Sequence, residues 1–346
     1  MKYKTNQARG FFDEEFRLEK ISHSNDPLLK LNTKIPWEIF RSLLEENLTK
    51  ESRGQGGCRP YDYVMMFKIL ILQRYYNISD DKMEFAILDR LSFMRFLGLS
   101  MSDRVPDAKT IWNFREQLRR KGVIEKLFSI FTEELQKQGL IANEGKIVDA
   151  SFIEVPIQRN TRQENKEIKE GNIPEQWNEN PDKMARKDTD ARWTKKNGRN
   201  YYGYKNHIKV DAKSKLIDTY TVTDASVHDS QETEAVLSEA DKGQPLYADS
   251  AYSGEPISLM VEQRQMVNQI HEKGYRNTPL TEEQTESNRI KSKVRARVEH
   301  IFGFVENSMN GSFIRTIGIK RATAVVGLMN LTYNMFRAIQ LGYTAA

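Results

Sequence analysis

Cysteine is almost missing from this chain. Cys58 stands alone among 346 residues, which excludes an intramolecular disulfide framework, and no Cys/His grouping has zinc-site spacing. Any catalytic metal would therefore have to sit on carboxylates. Long apolar runs are lacking too: stretches such as AVVGLM from Ala324 are far too short to span a bilayer, so no membrane partner is expected. The basic start MKYKTNQARGFFDEEF carries no apolar segment that would serve as a secretory signal, so the expected location is cytoplasmic. At 38% hydrophobic and 29% charged residues the chain is neither disordered nor fibrous. Its length suggests about two domains, or one with a large insertion.

The net charge is modest, +5, with a pI of 9.0, but the positive residues are clustered. Residues 186–209 hold eight Lys or Arg against two Asp, interleaved with Trp193, Tyr201, Tyr202 and Tyr204. Residues 289–297, RIKSKVRAR, hold five basic residues and no acid. Basic stretches with aromatics suit a phosphate backbone and exposed bases; a solvated charged loop reads equally well from the first cluster alone.

Along the chain, short helical fragments around Pro36–Glu46 precede a Gly-rich break, RGQGGCRP. YVMMFKILILQRYY and MEFAILDRLSFMRFLGL are too dense in large apolar residues to face solvent and should pack as helices. Pro106 and Asp107 then signal a helix start, and the helix that follows carries Trp112, Arg115, Arg119, Arg120 and Lys121 beside a thin stripe of Ile111, Phe114 and Leu118. A helix-turn-helix reader and an ordinary surface helix both fit. After a helix over Val123–Gly139 the pattern changes. KIVDASFIEV alternates as a strand with Asp149 inside it, and residues 156–200 read as a polar insertion or flexible loop. Residues 202–226 read as a hairpin turning at Asp211–Lys215. Asp229 and Glu232 open a helix through Ala240, and LYADSAYSG brings a strand to Asp249. Strand, hairpin, helix, strand is the order of a mixed α/β sheet.

An Asp where an apolar run meets small residues suits an acid at a strand end facing a cleft; it equally suits a helix N-cap or a turn. MVNQI, from Met266, reads as a further strand. Val294, Val298, Ile301, Phe302 and Val305 form one helical stripe, with Glu299 and Arg295 flanking it. The basics at 289–297 alternate every second residue, so either the regular helix begins near Val294 or they encircle it. Glu299 reads as a cleft carboxylate or as an i,i+4 surface partner of Arg295. Asp149, Asp249 and Glu299 brought together without Cys or His suit Mg2+ or Mn2+, two ions at about 3.5–4 Å, acting on a phosphodiester. His207, His228 and Tyr252 stand close in sequence to these stretches as possible accessory groups; a histidine so placed is more ordinarily structural. Trp193 suits stacking on an extruded base or plain packing.

VDASFIEV, YGYKNHIKVDAKSKLIDTYTVTDASVHDS, LYADSAYSG and RARVEHIFGFVE, in this order, closely resemble the DDE transposases of bacterial insertion sequences, specifically the IS-five family, and the resemblance extends over most of the chain. It implies a helical DNA-binding and dimerisation domain over 1–140. A ribonuclease-H-like mixed-sheet catalytic domain would follow over 141–346, with the basic insertion at about 156–200. It further implies Asp149, Asp249 and Glu299 as catalytic metal ligands and Arg295 as a phosphate contact, with Lys291, Arg297, Lys205, Arg115 and Arg119 as further DNA-contact candidates. The implied partners are double-stranded transposon ends and target DNA, held by a homodimer or larger synaptic complex at the bacterial nucleoid. Two positions depart from the related signature: Ser292 replaces a tyrosine and Glu306 a lysine. A catalytically silent DNA-binding repressor and a stand-alone structure-specific nuclease are the competing readings.

Overall fold

The computed structural model describes residues 10–49, 59–196 and 198–344, and among the described residues up to 140 it has eight α-helices and one 3-10 turn. Cys58, the first nine residues and most of the Gly-rich break fall outside the described residues. The helices are α1 (Asp13–His23), α2 (Pro27–Lys34), α3 (Arg41–Leu48), α4 (Tyr63–Tyr75), α5 (Asp80–Asp89), α6 (Leu91–Leu97), α7 (Ala108–Arg120) and α8 (Val123–Lys137). Asp62 starts α4 by accepting the Met65 amide at 2.8 Å, and the helix then runs through the core with Val64–Phe67 and Ile69–Gln73 buried. The apolar run after Asp80 is two helices, broken at Arg90 by an extended backbone (φ −116°, ψ 107°).

Among the described residues one six-stranded sheet carries Asp149 on its central strand and leads to Asp249 just past a neighbouring one. Its strands are β1 (Lys146–Glu154), β2 (Arg192–Lys196), β3 (Arg199–Asp211), β4 (Ile217–Asp224), β5 (Pro245–Tyr247) and β6 (Val267–Asn268). β3 is long enough to pair along one edge with β2 near its start and β4 beyond, while β1 lies antiparallel to its other edge. β5 and β6 continue beyond β1 in parallel. An antiparallel flank joined through β1 to a parallel flank is the ribonuclease-H-like mixed sheet that the sequence leads one to expect.

Between β1 and β2 the polar stretch is folded, not a loop. α9 (Arg162–Lys169), α10 (Glu175–Asn178) and α11 (Pro181–Ala185) surround a fully buried Trp177, whose indole N–H donates to Glu164 at 2.6 Å. Thr161 and Glu164 close a reciprocal capping box at the start of α9. One tryptophan and a cap leave little periodicity to read. The helix expected over 229–240 is also shorter: a 3-10 turn leads into α12 (Thr233–Val236), which ends where Leu237 turns extended. α13 (Glu255–Gln263) precedes β6. α14 (Glu282–Arg295) starts twelve residues before Val294, so the basic residues at 289, 291, 293 and 295 encircle a regular helix; Arg297 sits in the 3-10 turn that follows, after which α15 (Glu299–Gly303) continues.

α16 (Ile319–Gln340) closes the fold by packing on β4, α4 and α8. Buried Asn330 exchanges hydrogen bonds with Asn206 of β3, and Asn334 bonds both the N–H and the C=O of Ile217. The largest core cluster runs without interruption from Leu28 and Phe67 of the helical part to Ile147, Ile208 and Leu328. Gly327 lets this contact form: a Cβ there would stand 2.2 Å from the Tyr220 hydroxyl and 3.0 Å from Ile124. Gly327→Ala is therefore expected to lower stability by about 1–3 kcal/mol, although alanine is the better helix former. The Tyr220 hydroxyl is buried without a hydrogen-bond partner, so Tyr220→Phe should cost little and restore much of the loss. Strictly additive effects in urea unfolding would refute the clash.

Candidate functional site

β1 is the strand between the two flanks, and Asp149 sits midway along it, 8% exposed. Its register with β5, Lys146 opposite Leu246 and Ile147 opposite Tyr247, runs on to set Asp249 level with Asp149, just past the end of β5. Asp249 also caps the short 3-10 turn that follows, accepting the Ala251 amide at 2.7 Å. The cap reading and the cleft reading therefore coexist in one carboxylate. Glu299 comes from the start of α15, with a side chain 67% exposed. Arg295, one turn earlier, links the strand to the helix. It donates to Asp149 Oδ2 at 2.8 Å and stands 3.8 Å from Glu299 Oε1.

Burial pushes the Asp149 carboxyl up to about 6; the Ala150 amide and Arg295 oppose that rise, and the charge of Asp249 adds to it. Tyr252 is buried beside the acids, its hydroxyl has no partner, and burial with the charges of Asp149, Asp229 and Asp249 holds it well above the usual tyrosine range. The donors are all oxygens, and two of them repel each other, as in a site for a hard divalent cation. Among the described residues, however, no group of three or more His, Cys, Asp or Glu side chains is close enough to hold an ion. Arg295 supplies the positive charge between Asp149 and Glu299.

Beside the acids lies a second charged group. Lys205 is buried and donates to Asp229 at 2.7 Å and to the Val227 carbonyl at 2.6 Å, with Lys196 at 3.6 Å from the same Asp229. Phe152 of β1 and Tyr201 of β3 stack at 4.1 Å, with the Lys196 and Lys205 ammonium groups near the Phe152 ring. Lys291 donates to the Ile270 carbonyl at 3.1 Å and Arg297 to the Ala212 carbonyl at 2.7 Å. Arg115 is bidentate on Asp80 and Arg119 on Glu116, on α7 of the helical part.

His207 is buried, bonded through Nε2 to the Thr223 hydroxyl at 2.8 Å, and burial brings its pKa down to about 4. His228 is exposed and bonds Ser230. Trp193 leans on Tyr202 at 5.0 Å and remains 47% exposed. One neighbour of the acids escapes sequence reading. His271 follows β6, its amide donates to the carbonyl of Ala248, and its Nε2 bonds Ser292 at 3.2 Å. Only the pairing of β5 with β6 brings it beside Asp249, so the sole available signal was its place just past a second strand end. Ser292, where the related signature has tyrosine, meets His271 and the Asn288 carbonyl; Glu306 is exposed.

A family model described as a transposase DDE domain matches residues 142–335, and one described as a transposase domain (DUF772) matches residues 16–117. A cryo-EM structure of the piggyBac transposase synaptic complex with hairpin DNA is similar over 93% of this chain and 77% of that one, at 13% identity and a TM-score of 0.45. A crystal structure of a pre-cleavage Mos1 transpososome aligns over 98% of this chain and 100% of that one, at 6% identity and a TM-score of 0.18. No helix among the described residues is long and apolar enough to cross a membrane.

Proposed function

The chain belongs to the DDE transposase family, and from that premise we propose that it binds the terminal inverted repeats of an insertion sequence, cuts the strands there and joins the freed 3′-hydroxyls to target DNA. The observation that carries this reading is the parallel register of β1 with β5, which continued two residues past β5 sets Asp249 level with Asp149, with Arg295 joining Asp149 to Glu299. Asp149 and Asp249, with Glu299 drawn in from its pairing with Arg295 because the three stand too far apart in this structure to share an ion, would hold two magnesium or manganese ions, whose charge relieves the repulsion between the two aspartates. When bound, such ions make water or a 3′-hydroxyl nucleophilic and offset charge on the leaving oxygen.

The chain's own groups orient the substrate. Arg295 is free to exchange its carboxylate partners for a DNA phosphate, a planar fork suited to either. Lys291, one turn before Arg295 on α14, joins it, whereas Arg297, two residues further on and bonded to the Ala212 carbonyl, lies on the other side of the helix and acts by positioning. Lys205 and Arg115, already committed to Asp229 and Asp80, act by positioning. The helical part, with α7, reads the repeats, and a homodimer or larger assembly handles two ends together.

A duplex carrying the element's terminal repeat tests this reading. Nicking is expected in Mg2+ or Mn2+ and none in EDTA. Asp249→Asn should abolish nicking and leave binding within about twofold, since it removes one carboxylate charge and little volume. Binding without nicking by the wild type would favour the silent repressor, and cutting without joining the stand-alone nuclease. Equal nicking by wild type and variant would refute the acid assignment.

A further inference from the structure

A cavity of about 340 Å³ lies away from the acids, between α7 and the segment that enters α16. Its wall carries four guanidinium groups, Arg115, Arg119, Arg315 and Arg321, against two carboxylates, Asp80 and Glu116. Both carboxylates are already spent. Asp80 takes both forks of Arg115 at 2.6 and 2.7 Å, and Glu116 takes Arg119 at 2.6 and 2.9 Å and Arg321 at 3.4 Å. Arg119 engages Glu116 through Nε and Nη2, so its Nη1 remains available. Arg315 is exposed and has no hydrogen-bond or ion-pair partner among the described residues. The Thr316 hydroxyl beside it is buried and likewise without a partner. Trp112, 40% exposed, forms one side.

A surplus of guanidinium donors, three of them held in place by carboxylates, an unused hydroxyl and a part-exposed indole is the chemistry of a phosphate site with a stacking surface. We propose that this cavity seats a phosphodiester of bound DNA, with Arg315 and Arg119 as its donors and Trp112 against the adjoining sugar or base. The proposal rests on the transposase reading for its ligand, and it assigns Arg119 a contact while leaving Arg115 as a positioning residue. Because the walls come from α7 on one side and from the approach to α16 on the other, one phosphate there bridges the helical part and the catalytic sheet.

The test uses the full chain in EDTA with a fluorescein-labelled 30-bp duplex of arbitrary sequence, since a phosphate contact is independent of sequence. Arg315→Glu should weaken binding about tenfold at low salt and flatten the log-affinity against log-salt slope by about one. Lys126→Glu, an equal charge change at an exposed position of α8, should stay within about twofold. DNA should quench tryptophan emission less in Trp112→Phe than in the wild type. Arg315→Glu behaving like Lys126→Glu, with the wild type binding DNA, would overturn the cavity alone. If inorganic phosphate quenches Trp112 while Arg315→Glu binds duplex normally, the cavity is a small-anion site and the proposal fails. No duplex binding by the wild type would overturn both the cavity and the transposase reading.

Discussion

Asp149→Asn is expected to abolish strand cleavage and, at the same time, to make the protein more stable at neutral pH. The loss follows from the proposed role: an amide is a poor ligand for a hard cation, and a catalytic acid of this kind typically contributes several orders of magnitude. The gain follows from burial. Burial lifts the carboxyl to about 6 in the fold, against 3.8 for an aspartate in water, so between those two values the native state holds a proton that the unfolded chain has lost. Stability therefore falls as pH rises from about 4 to about 6, and the full cost of an ionised, buried Asp149 is present above that. Asparagine copies the neutral form and removes that cost, on the order of 3 kcal/mol. Thermal unfolding in EDTA should show a midpoint several degrees above wild type at pH 7.5, with the difference closing below about pH 4. A variant less stable than wild type at pH 7.5, or a gain that persists unchanged in acid, would refute the account. Chelation matters here, because a bound cation would stabilise the wild type by mass action and hide the effect.

Gly203→Ala should be the more damaging change to the fold. Gly203 pairs with Glu154 across β1 and β3 at a φ of +149°, and a Cβ there would stand 2.2 Å from the Ile153 carbonyl oxygen and 3.1 Å from the Val155 amide. Those are backbone atoms of the neighbouring strand, so no rotamer change relieves the overlap; the strands must separate. Separation would break the Val155-to-Tyr202 hydrogen bond and disturb the stack of Phe152 on Tyr201, along the strand that carries Asp149. A loss of about 3–5 kcal/mol is expected, enough to reduce soluble yield as well as the denaturation midpoint. Gly171→Ala is the control: its φ is +84°, but nothing lies within 4 Å of the added carbon, and a loss of only about 1 kcal/mol should follow. Equal losses for the two variants would mean that the Ile153 contact does not decide the matter.

Much of this could be read in the residues, and the misses have physical causes. Dense apolar runs marked α4, α5 and α6, and the Asp211–Lys215 turn marked the hairpin, because each signal is local. Asp149 and Asp249 were legible as acids set in apolar strands. Their shared level was not, since it depends on the parallel register of β1 with β5. α16 went unassigned because it is buried nearly all round and carries Asn330, Thr332 and Asn334 inward, which erases the polar face that a surface helix displays. β2, an edge strand of the sequence RWTKK, looks like charged loop until β3 is laid beside it. The ion pair from Arg295 to Asp149 spans 146 residues of sequence; the one-turn pairing with Glu299 was visible in the spacing, and the longer reach was not.

The uninterrupted core from α2 and α4 through β1 and β3 to α16 bears on how such a protein diversifies. Readers of DNA ends are often imagined as cartridges, exchanged between catalytic bodies to redirect them. Here the helices that would read the repeat also form one wall of the hydrophobic interior on which the catalytic strands are built. Grafting them from a relative would import dozens of mismatched side chains into a close-packed volume. If those helices read the repeat, new end preferences would be reached by altering outward-facing residues in place, and recognition and chemistry would be inherited as one unit.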